Sequence, residues 1–153
     1  MLYRNSSQYA LRALTHMAGL NSGSCQRIAD LAEAQNIPQA YLSQIFKQLV
    51  EGKILKSIKG PGGGYVFARA PEKITFYDIK ICVDGPDDFE KCVIGFDVCS
   101  DHTLCPAHEA WKKQKVQAQK DMCSINLASA SELVRKKHAE QNLAAQKTRR
   151  RRL

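Results

Sequence analysis

The chain has 153 residues, enough for one domain or for one small domain with an extension. No apolar run reaches the roughly 18–20 residues that a membrane-spanning helix needs, so we expect no membrane partner. No apolar signal segment opens the sequence, which predicts a reducing, cytoplasmic location and makes a disulfide framework the weaker interpretation of its 6 cysteines.

The charge is distributed unevenly along the chain, although the formal net charge is +8. Residues 1–80 carry 10 Lys and Arg against 5 Asp and Glu, residues 81–111 carry 1 against 7, and residues 112–153 carry 12 against 3. The two basic parts suit a polyanion such as DNA, whereas the acidic middle part should lie away from phosphate. Lysines that only solvate a surface would give the same count, so the charge alone does not decide the function.

Three helices are predicted before residue 52. Apolar residues at three-to-four spacing predict helices over residues 7–20, 25–35 and 39–51. Ser24 is a suitable N-cap for the second helix, and Gly52 can end the third. Two short helices joined by a tight turn indicate a helix-turn-helix.

The helix over residues 39–51 would be the one that enters the major groove of a double-stranded DNA operator. Its polar face carries amide, hydroxyl and ammonium groups, which can meet base edges or phosphates. An ordinary helix with a solvated polar face is the alternative interpretation. The candidate DNA-contacting residues on this face are Gln39, Ser43, Gln44 and Lys47.

A β-hairpin follows the third helix. Strands are predicted over residues 53–59 and 65–69, around a glycine-rich turn whose backbone can approach another backbone closely. The turn is followed by a strand and lacks the Gly-Lys-Ser/Thr of a phosphate loop, which argues against a nucleotide site. A short helix with Thr75 as its N-cap completes a winged helix-turn-helix domain over residues 1–84. The wing adds five candidate DNA-contacting residues: Lys56, Lys59, Gly62, Gly63 and Arg69.

Residues 85–105 form a cysteine-rich loop. Cys92, Cys99 and Cys105 are separated by six and five residues, and His108 follows three residues after Cys105. Isolated cysteines often serve as small buried apolar residues, but three of them with a histidine in a short acidic segment favour a metal or cluster site. Soft thiolates with an imidazole suit an iron–sulfur cluster or zinc.

Several alternatives to a cluster are open from the residues alone. The same cysteines and histidine could form a structural zinc site of the three-Cys, one-His type. They could also form a cluster-free thiol sensor, in which the cysteines oxidise. We do not expect an enzyme, because no third residue that would orient a nucleophile and its base is apparent.

A single long helix is predicted over residues 106–138, because Pro106 is a natural first helical residue and no Pro or Gly follows it. Cys105 would then be its N-cap. An apolar repeat close to 3.5 residues runs along it from Trp111. At about 45–50 Å, the helix is too long for a domain of this size to cover, which predicts a homodimer; folding back on its own domain is the alternative. Residues 139–153 lack periodicity and end in arginines, which predicts a disordered basic tail.

Three stretches, at residues 9–14, 41–46 and 59–65, resemble the signature of one bacterial family. On them the chain, over about residues 1–137, resembles the Rrf2 family of transcriptional regulators. This resemblance implies a mainly α-helical protein with a small β wing. It also implies a homodimeric transcription factor, with a winged helix-turn-helix domain and a long C-terminal dimerisation helix.

The resemblance to the cluster-binding members of this family has consequences for the cysteines. It implies that Cys92, Cys99 and Cys105 hold a [2Fe–2S] or [4Fe–4S] cluster. The fourth ligand varies within the family: in some members it is a His three residues after the last Cys, which here is His108. In others it is an Asp near the N-terminus of the partner subunit, at about the position where this chain has Gln8. Such a cluster would control the operator binding of a repressor in response to iron, redox state or nitric oxide. This chain departs from the family pattern at two points. The interval between Cys92 and Cys99 holds six residues, where five is more usual. Ser43 occupies a position that is Glu in the family member that regulates iron–sulfur cluster assembly.

Overall fold

The computed structural model describes residues 4–20, 23–86, 91–97, 99–102 and 105–150. Parts of the predicted cysteine-rich loop and of the basic tail lie outside the described residues, at positions 87–90, 98, 103–104 and 151–153, as do residues 1–3 and 21–22. The helices and strands are, in chain order, α1 (Asn5–Gly19), α2 (Ile28–Gln35), α3 (Gln39–Glu51), β1 (Leu55–Ile58), β2 (Gly64–Phe67), a 3₁₀ turn (Pro71–Lys73), α4 (Phe76–Asp84), α5 (His108–Ser124) and α6 (Leu127–Arg150).

The core lies between α1, α2, α3, the wing and α4, and α6 packs against α1 and contributes Leu127 to it. The predicted first and third helices are confirmed, but α2 begins at Ile28 rather than at residue 25. The preceding residues are extended because the backbone of Gln26 pairs with Tyr65 of the wing, at N–O distances of 2.9 and 2.8 Å. Ser24 therefore does not cap α2. The largest fully buried apolar side chains are Leu14, Leu31, Leu42, Ile45, Phe46, Leu49, Ile54, Leu55, Ile74, Ile79 and Leu127.

The wing is a two-stranded antiparallel sheet. Leu55 lies opposite Phe67 and Ile58 lies opposite Gly64, so both strands are shorter than predicted. The Tyr65 ring packs edge-on against Phe46 of α3, with ring centroids 5.0 Å apart. This contact, together with the Gln26 pairing, fixes the wing to the helix-turn-helix.

Helix α4 begins with the predicted cap. The Asp78 backbone N–H donates to Thr75 Oγ1 at 3.1 Å, and the Thr75 N–H donates to Asp78 Oδ2 at 2.9 Å, which forms a reciprocal capping box. The polar groups of the first turn are thereby satisfied, and the apolar face of α4 can pack on α1 and α3.

The last turn of α4 contains a buried ion pair. Lys80 Nζ lies 3.4 Å from Asp84 Oδ2, and both side chains are 0% exposed. Asp84 also accepts hydrogen bonds from the Ser6 hydroxyl at 2.6 Å and from the Arg4 backbone N–H at 3.3 Å. Asp84 therefore joins the start of α1 to the end of α4, immediately before the cysteine-rich loop.

The prediction of one helix over residues 106–138 is wrong, because the chain breaks between α5 and α6. Ile125 is extended, and Asn126 caps α6 by accepting a hydrogen bond from the Ser129 N–H at 2.9 Å. The break is also held by the core domain, since the Phe76 N–H donates to Ile125 O at 2.9 Å and the Leu127 N–H donates to Ile74 O at 3.0 Å. The buried Leu127 side chain enters the core at this point.

The prediction of a disordered tail is wrong for residues 139–150, which continue α6 as far as Arg150. The segment lacks Gly and Pro and is rich in Ala, Gln, Lys and Arg, which are good helix formers. Helix α6 has 24 residues and is therefore about 36 Å long. None of the described helices is both long and apolar enough to cross a bilayer.

Candidate metal centre and DNA-contacting surface

The cysteine-rich loop ends in a tight turn that leads into α5. The His108 N–H donates to Cys105 O at 3.1 Å, and Ala107 is the residue that precedes the helix. The predicted helix start at Pro106, with Cys105 as N-cap, is therefore wrong by two residues. The loop is also tied to α5 by Trp111, whose Nε1 donates to Lys91 O at 3.0 Å.

The structure brings the four predicted ligands together as two pairs. Cys92 Sγ lies 3.7 Å from Cys105 Sγ, and Cys99 Sγ lies 3.4 Å from His108 Nδ1. Cys92, Cys105 and His108 are all buried, at 8–9% exposure, although they belong to an acidic surface segment. Cys99 is half-buried, so both members of the first pair and one member of the second are shielded from solvent.

These pairs have the donor chemistry and spacing of a metal centre. Two thiolates on one tetrahedral metal, with bonds of about 2.3 Å, lie about 3.8 Å apart. Thiolate and imidazole donors suit iron–sulfur clusters and zinc. Among the described residues, the one group of three possible ligands within 4.8 Å of one another is Asp101, His108 and Glu109. The predicted ligands therefore form two pairs rather than one compact tetrahedron.

The two thiols of the first pair influence each other's pKa. Burial acts most strongly on Cys92 and would raise its pKa, but backbone N–H groups at Ile94, Phe96 and Gly95 and the Cys105 thiol together lower the pKa of Cys92 below its usual value. Burial and the neighbouring Cys92 raise the pKa of Cys105. The backbone N–H groups around Cys92 therefore favour a thiolate in this pair, which is the form that binds a cation.

Sequence reasoning missed three charged residues around the second pair. Asp101 Oδ1 lies 2.9 Å from His108 Nε2 and 2.5 Å from Lys112 Nζ, and Lys115 Nζ donates to Cys99 Sγ at 3.3 Å. The hydrogen bonds from Lys112 and His108 lower the pKa of Asp101 to about 2, and Asp101 in turn raises the pKa of Lys112. A signal was present in the sequence, because residues 108, 112 and 115 have the spacing of one helix face.

The predicted recognition helix presents most of its candidate residues to solvent. Gln39, Gln44 and Lys47 are exposed on α3. Ser43 is half-buried, and its hydroxyl donates to Gln39 O at 2.8 Å. Tyr41 is 38% exposed and packs edge-on against Tyr9. The exposed face can therefore offer two amides and one ammonium to DNA.

The wing places its candidate residues at two different ends. Lys56 and Lys59 are exposed on and beside β1, and Gly62 lies in the turn with φ 75°. Arg69, by contrast, lies at the base of the hairpin, where its guanidinium is 3.5 Å from Asp78 Oδ2. The structure therefore gathers the two lysines near the turn and separates Arg69 from them.

Gly63 allows the wing turn to close, and its replacement by Ala is expected to disturb that turn. An added Cβ would lie 2.3 Å from Ile58 O and 2.8 Å from Gly60 O, so the backbone would have to shift. Overpacking typically costs about 1–3 kcal/mol. If about 1.4 kcal/mol of this cost opposes the DNA-bound position of the wing, the DNA affinity falls about tenfold. Fluorescence-anisotropy titration measures this loss. The Pro61→Ala variant, in the same turn, is the control and should bind normally; an equal loss in both would contradict the packing argument.

Comparison with known proteins supports the same architecture. The sequence profile of the Rrf2 family, described as iron-dependent transcriptional regulators, matches residues 3–132. The chain is 30% identical over 129 residues to the HTH-type transcriptional regulator IscR of Sodalis glossinidius, which covers 84% of this chain and 77% of that regulator. This chain is thus similar to HTH-type transcriptional regulators over most of its own length and most of theirs.

Two solved structures share the fold. CymR, the global cysteine regulator of B. subtilis, superposes with a TM-score of 0.73 at 21% identity and covers 86% of this chain and 96% of CymR. IscR of T. potens superposes with a TM-score of 0.68 at 22% identity and covers 86% of this chain and 87% of that one. The family profile matches most of the chain, and the helix-turn-helix and wing have the fold of these regulators. The chain therefore belongs to the Rrf2 family of winged-helix, DNA-binding transcriptional regulators.

Proposed function

We propose that this protein is a homodimeric repressor in the cytoplasm whose affinity for its operator is set by an iron–sulfur cluster. The proposed ligands are Cys92, Cys99, Cys105 and His108. The observation that carries the proposal is their arrangement as two closely spaced pairs at the start of α5. When bound, the cluster would supply a redox-active and labile group that responds to iron supply, oxidants or nitric oxide.

The residues of this chain provide a route from the cysteine-rich loop to the DNA-binding domain. Trp111 ties the loop to α5, and Gln119 of α5 donates to the Tyr77 hydroxyl of α4 at 3.0 Å. Further along α5, Met122 is buried, and the break at Ile125 pairs with residues 74–76 of the core domain. A change in the position of the loop can therefore alter the position of α4, which packs directly on α3.

The exposed apolar residues of α5 and α6 support the homodimer. Leu133 and Val134 are 54% and 44% exposed, and Val116 is 48% exposed, whereas Met122 and Leu127 pack within the chain. A second copy that covers the exposed side chains would remove an apolar surface from water. Analytical ultracentrifugation tests this part of the proposal, and a monomer at the concentrations used for operator binding would reject it.

The cluster proposal is tested by purification without oxygen. We expect a coloured protein that contains iron and acid-labile sulfide, and an operator affinity that changes when a chelator strips the metal. A colourless protein with one zinc per chain would replace the cluster by a zinc site. A loaded protein whose operator affinity equals that of the stripped protein would reject control by the cluster, since a ligand shifts an equilibrium only through differential affinity.

Replacement of Lys59 by Ala is expected to weaken binding to operator and to unrelated DNA by the same factor. Lys59 is exposed beside the wing turn, which suits a phosphate contact that carries no sequence information. The slope of log K against log salt should fall by about 0.9, as expected for the loss of one phosphate contact. Titrations at several salt concentrations measure both effects. Lys120→Ala, which removes an exposed lysine on α5, is the control; a loss confined to the operator would contradict the phosphate contact.

The same geometry supports a second candidate function, a thiol switch without a cluster. Cys92 Sγ and Cys105 Sγ are 3.7 Å apart, so they can form a disulfide with little movement. In that reaction, both thiols lose a proton, one S–S bond forms, and the two electrons reduce hydrogen peroxide to two water molecules. Metal-free protein treated with one equivalent of peroxide should lose two titratable thiols. A protein that retains iron after anaerobic purification favours the cluster instead.

A further inference from the structure

The Cys99–His108 pair is held by a charged residue on each side. Asp101 Oδ1 lies 2.9 Å from His108 Nε2, and Lys115 Nζ lies 3.3 Å from Cys99 Sγ. The other ring nitrogen, His108 Nδ1, faces Cys99 Sγ at 3.4 Å. The carboxylate thus occupies one nitrogen of the imidazole and leaves the second directed towards the thiol.

The sequence explains why these groups meet. His108, Lys112 and Lys115 lie at i, i+4 and i+7 of α5, so they share one helix face. Lys112 donates to the same carboxylate oxygen of Asp101 that His108 contacts. Asp101, although it belongs to the loop, is therefore held against α5 by two side chains of that face.

We propose that Asp101 and Lys115 are positioning residues for the second pair of metal ligands. Asp101 keeps the proton of His108 on Nε2 and so leaves Nδ1 free as the ligand atom. Lys115 holds Cys99 Sγ beside that nitrogen and donates an N–H to the thiolate. This inference rests on the proposed function, because it names the residues that orient two of the proposed ligands.

General metal chemistry supports both roles. A histidine that binds a metal usually donates its other ring N–H to a carboxylate or carbonyl, which fixes the tautomer and the ring orientation. Hydrogen bonds to the sulfurs of a cluster are among the factors that set its reduction potential. Asp101 is 62% exposed on its side chain, so its replacement does not open a cavity in the core. Its removal should therefore affect the pair and not the fold.

The tautomer of His108 tests the role of Asp101 without any metal. Long-range ¹H–¹⁵N correlation spectra of the full-length, metal-free protein at mildly alkaline pH report which ring nitrogen carries the proton. We expect the Nε2–H tautomer in the wild type and a mixture of both tautomers in Asp101→Ala. Asp97→Ala, which removes an exposed acid from the same loop, is the control and should resemble the wild type. An unchanged tautomer in Asp101→Ala would overturn the role of Asp101.

Metal retention tests both residues. Protein reconstituted with iron and sulfide is mixed with a chelator, and the loss of visible absorption is followed. We expect Asp101→Ala and Lys115→Met to release iron at least about tenfold faster than the wild type, in line with the usual effect of losing such a supporting residue. Lys113→Met, on an exposed face of α5, is the control.

The outcomes separate the two levels of the proposal. A wild type that takes up no iron and sulfide would overturn the proposed function and, with it, this inference. A loaded wild type whose Asp101→Ala and Lys115→Met variants release iron at the wild-type rate would overturn the inference alone. Faster release in both variants, with Lys113→Met unchanged, would support it.

Discussion

Replacing Cys105 by Ala is expected to abolish the retention of iron and sulfide. Cys105 is buried against Cys92, with the two sulfurs 3.7 Å apart, so the variant loses one of only two donors in that pair. Iron and acid-labile sulfide per chain, together with the visible spectrum of anaerobically purified protein, measure the effect. The operator affinity of the variant should equal that of wild-type protein stripped of metal.

Cys123→Ala is the matched control for this experiment. Cys123 is an exposed cysteine on α5 and lies outside both ligand pairs. We expect this variant to retain iron, sulfide and the operator response of the wild type. A Cys105→Ala protein that keeps its full iron content would contradict the ligand assignment, whereas loss of iron from both variants would indicate a general effect of cysteine replacement.

Replacing Asp84 by Ala is expected to lower the free energy of unfolding by about 3 kcal/mol. Removal of one partner from a buried ion pair is strongly destabilising and typically costs about 3–5 kcal/mol. Here the variant loses the buried contact of Asp84 with Lys80 and the acceptor of the Ser6 hydroxyl. Urea denaturation followed by circular dichroism measures the change. A shift of only a few tenths of a kcal/mol would contradict the importance of the pair.

Glu132→Ala provides the comparison. Glu132 and Lys136 form another pair four residues apart, at 2.7 Å, but their side chains are 54% and 65% exposed. Exposed pairs of this kind contribute little to stability, because water screens their charges. Both pairs have i,i+4 spacing, so the two variants compare a buried pair that accepts further hydrogen bonds with an exposed pair.

The contribution of Asp84 should also depend on pH. Burial is the largest influence and acts to raise its pKa, but hydrogen bonds from Ser6, Ser7 and the Arg4 backbone, with the charge of Lys80, lower the pKa of Asp84 below its usual value. A carboxyl group with a lowered pKa stabilises the fold at a pH above its unfolded-state pKa, and this stabilisation is lost as the pH falls through the folded-state value. The difference between wild type and Asp84→Ala should therefore persist at neutral pH and shrink in acid.

The sequence alone determined the elements whose signals are local. The helical spacing of apolar residues predicted α1 and α3, and Thr75 predicted the cap of α4, because such patterns act within a few residues. The spacing of the cysteines and His108 also predicted the residues that the structure brings together. These four residues lie within a segment of 17 residues, so their nearness along the chain limits how far apart they can be in space.

Only the tertiary structure decided where the C-terminal helices break and what surrounds the ligands. No Pro or Gly marks the break at Ile125 and Asn126, which forms because residues 74–76 of the core supply backbone partners to that point of the chain. The contact of Asp101 with His108 likewise depends on how the loop folds onto α5. The helix break depends on residues that are distant along the chain, and the Asp101–His108 contact depends on the path of a loop. The local periodicity of a sequence does not indicate either kind of contact.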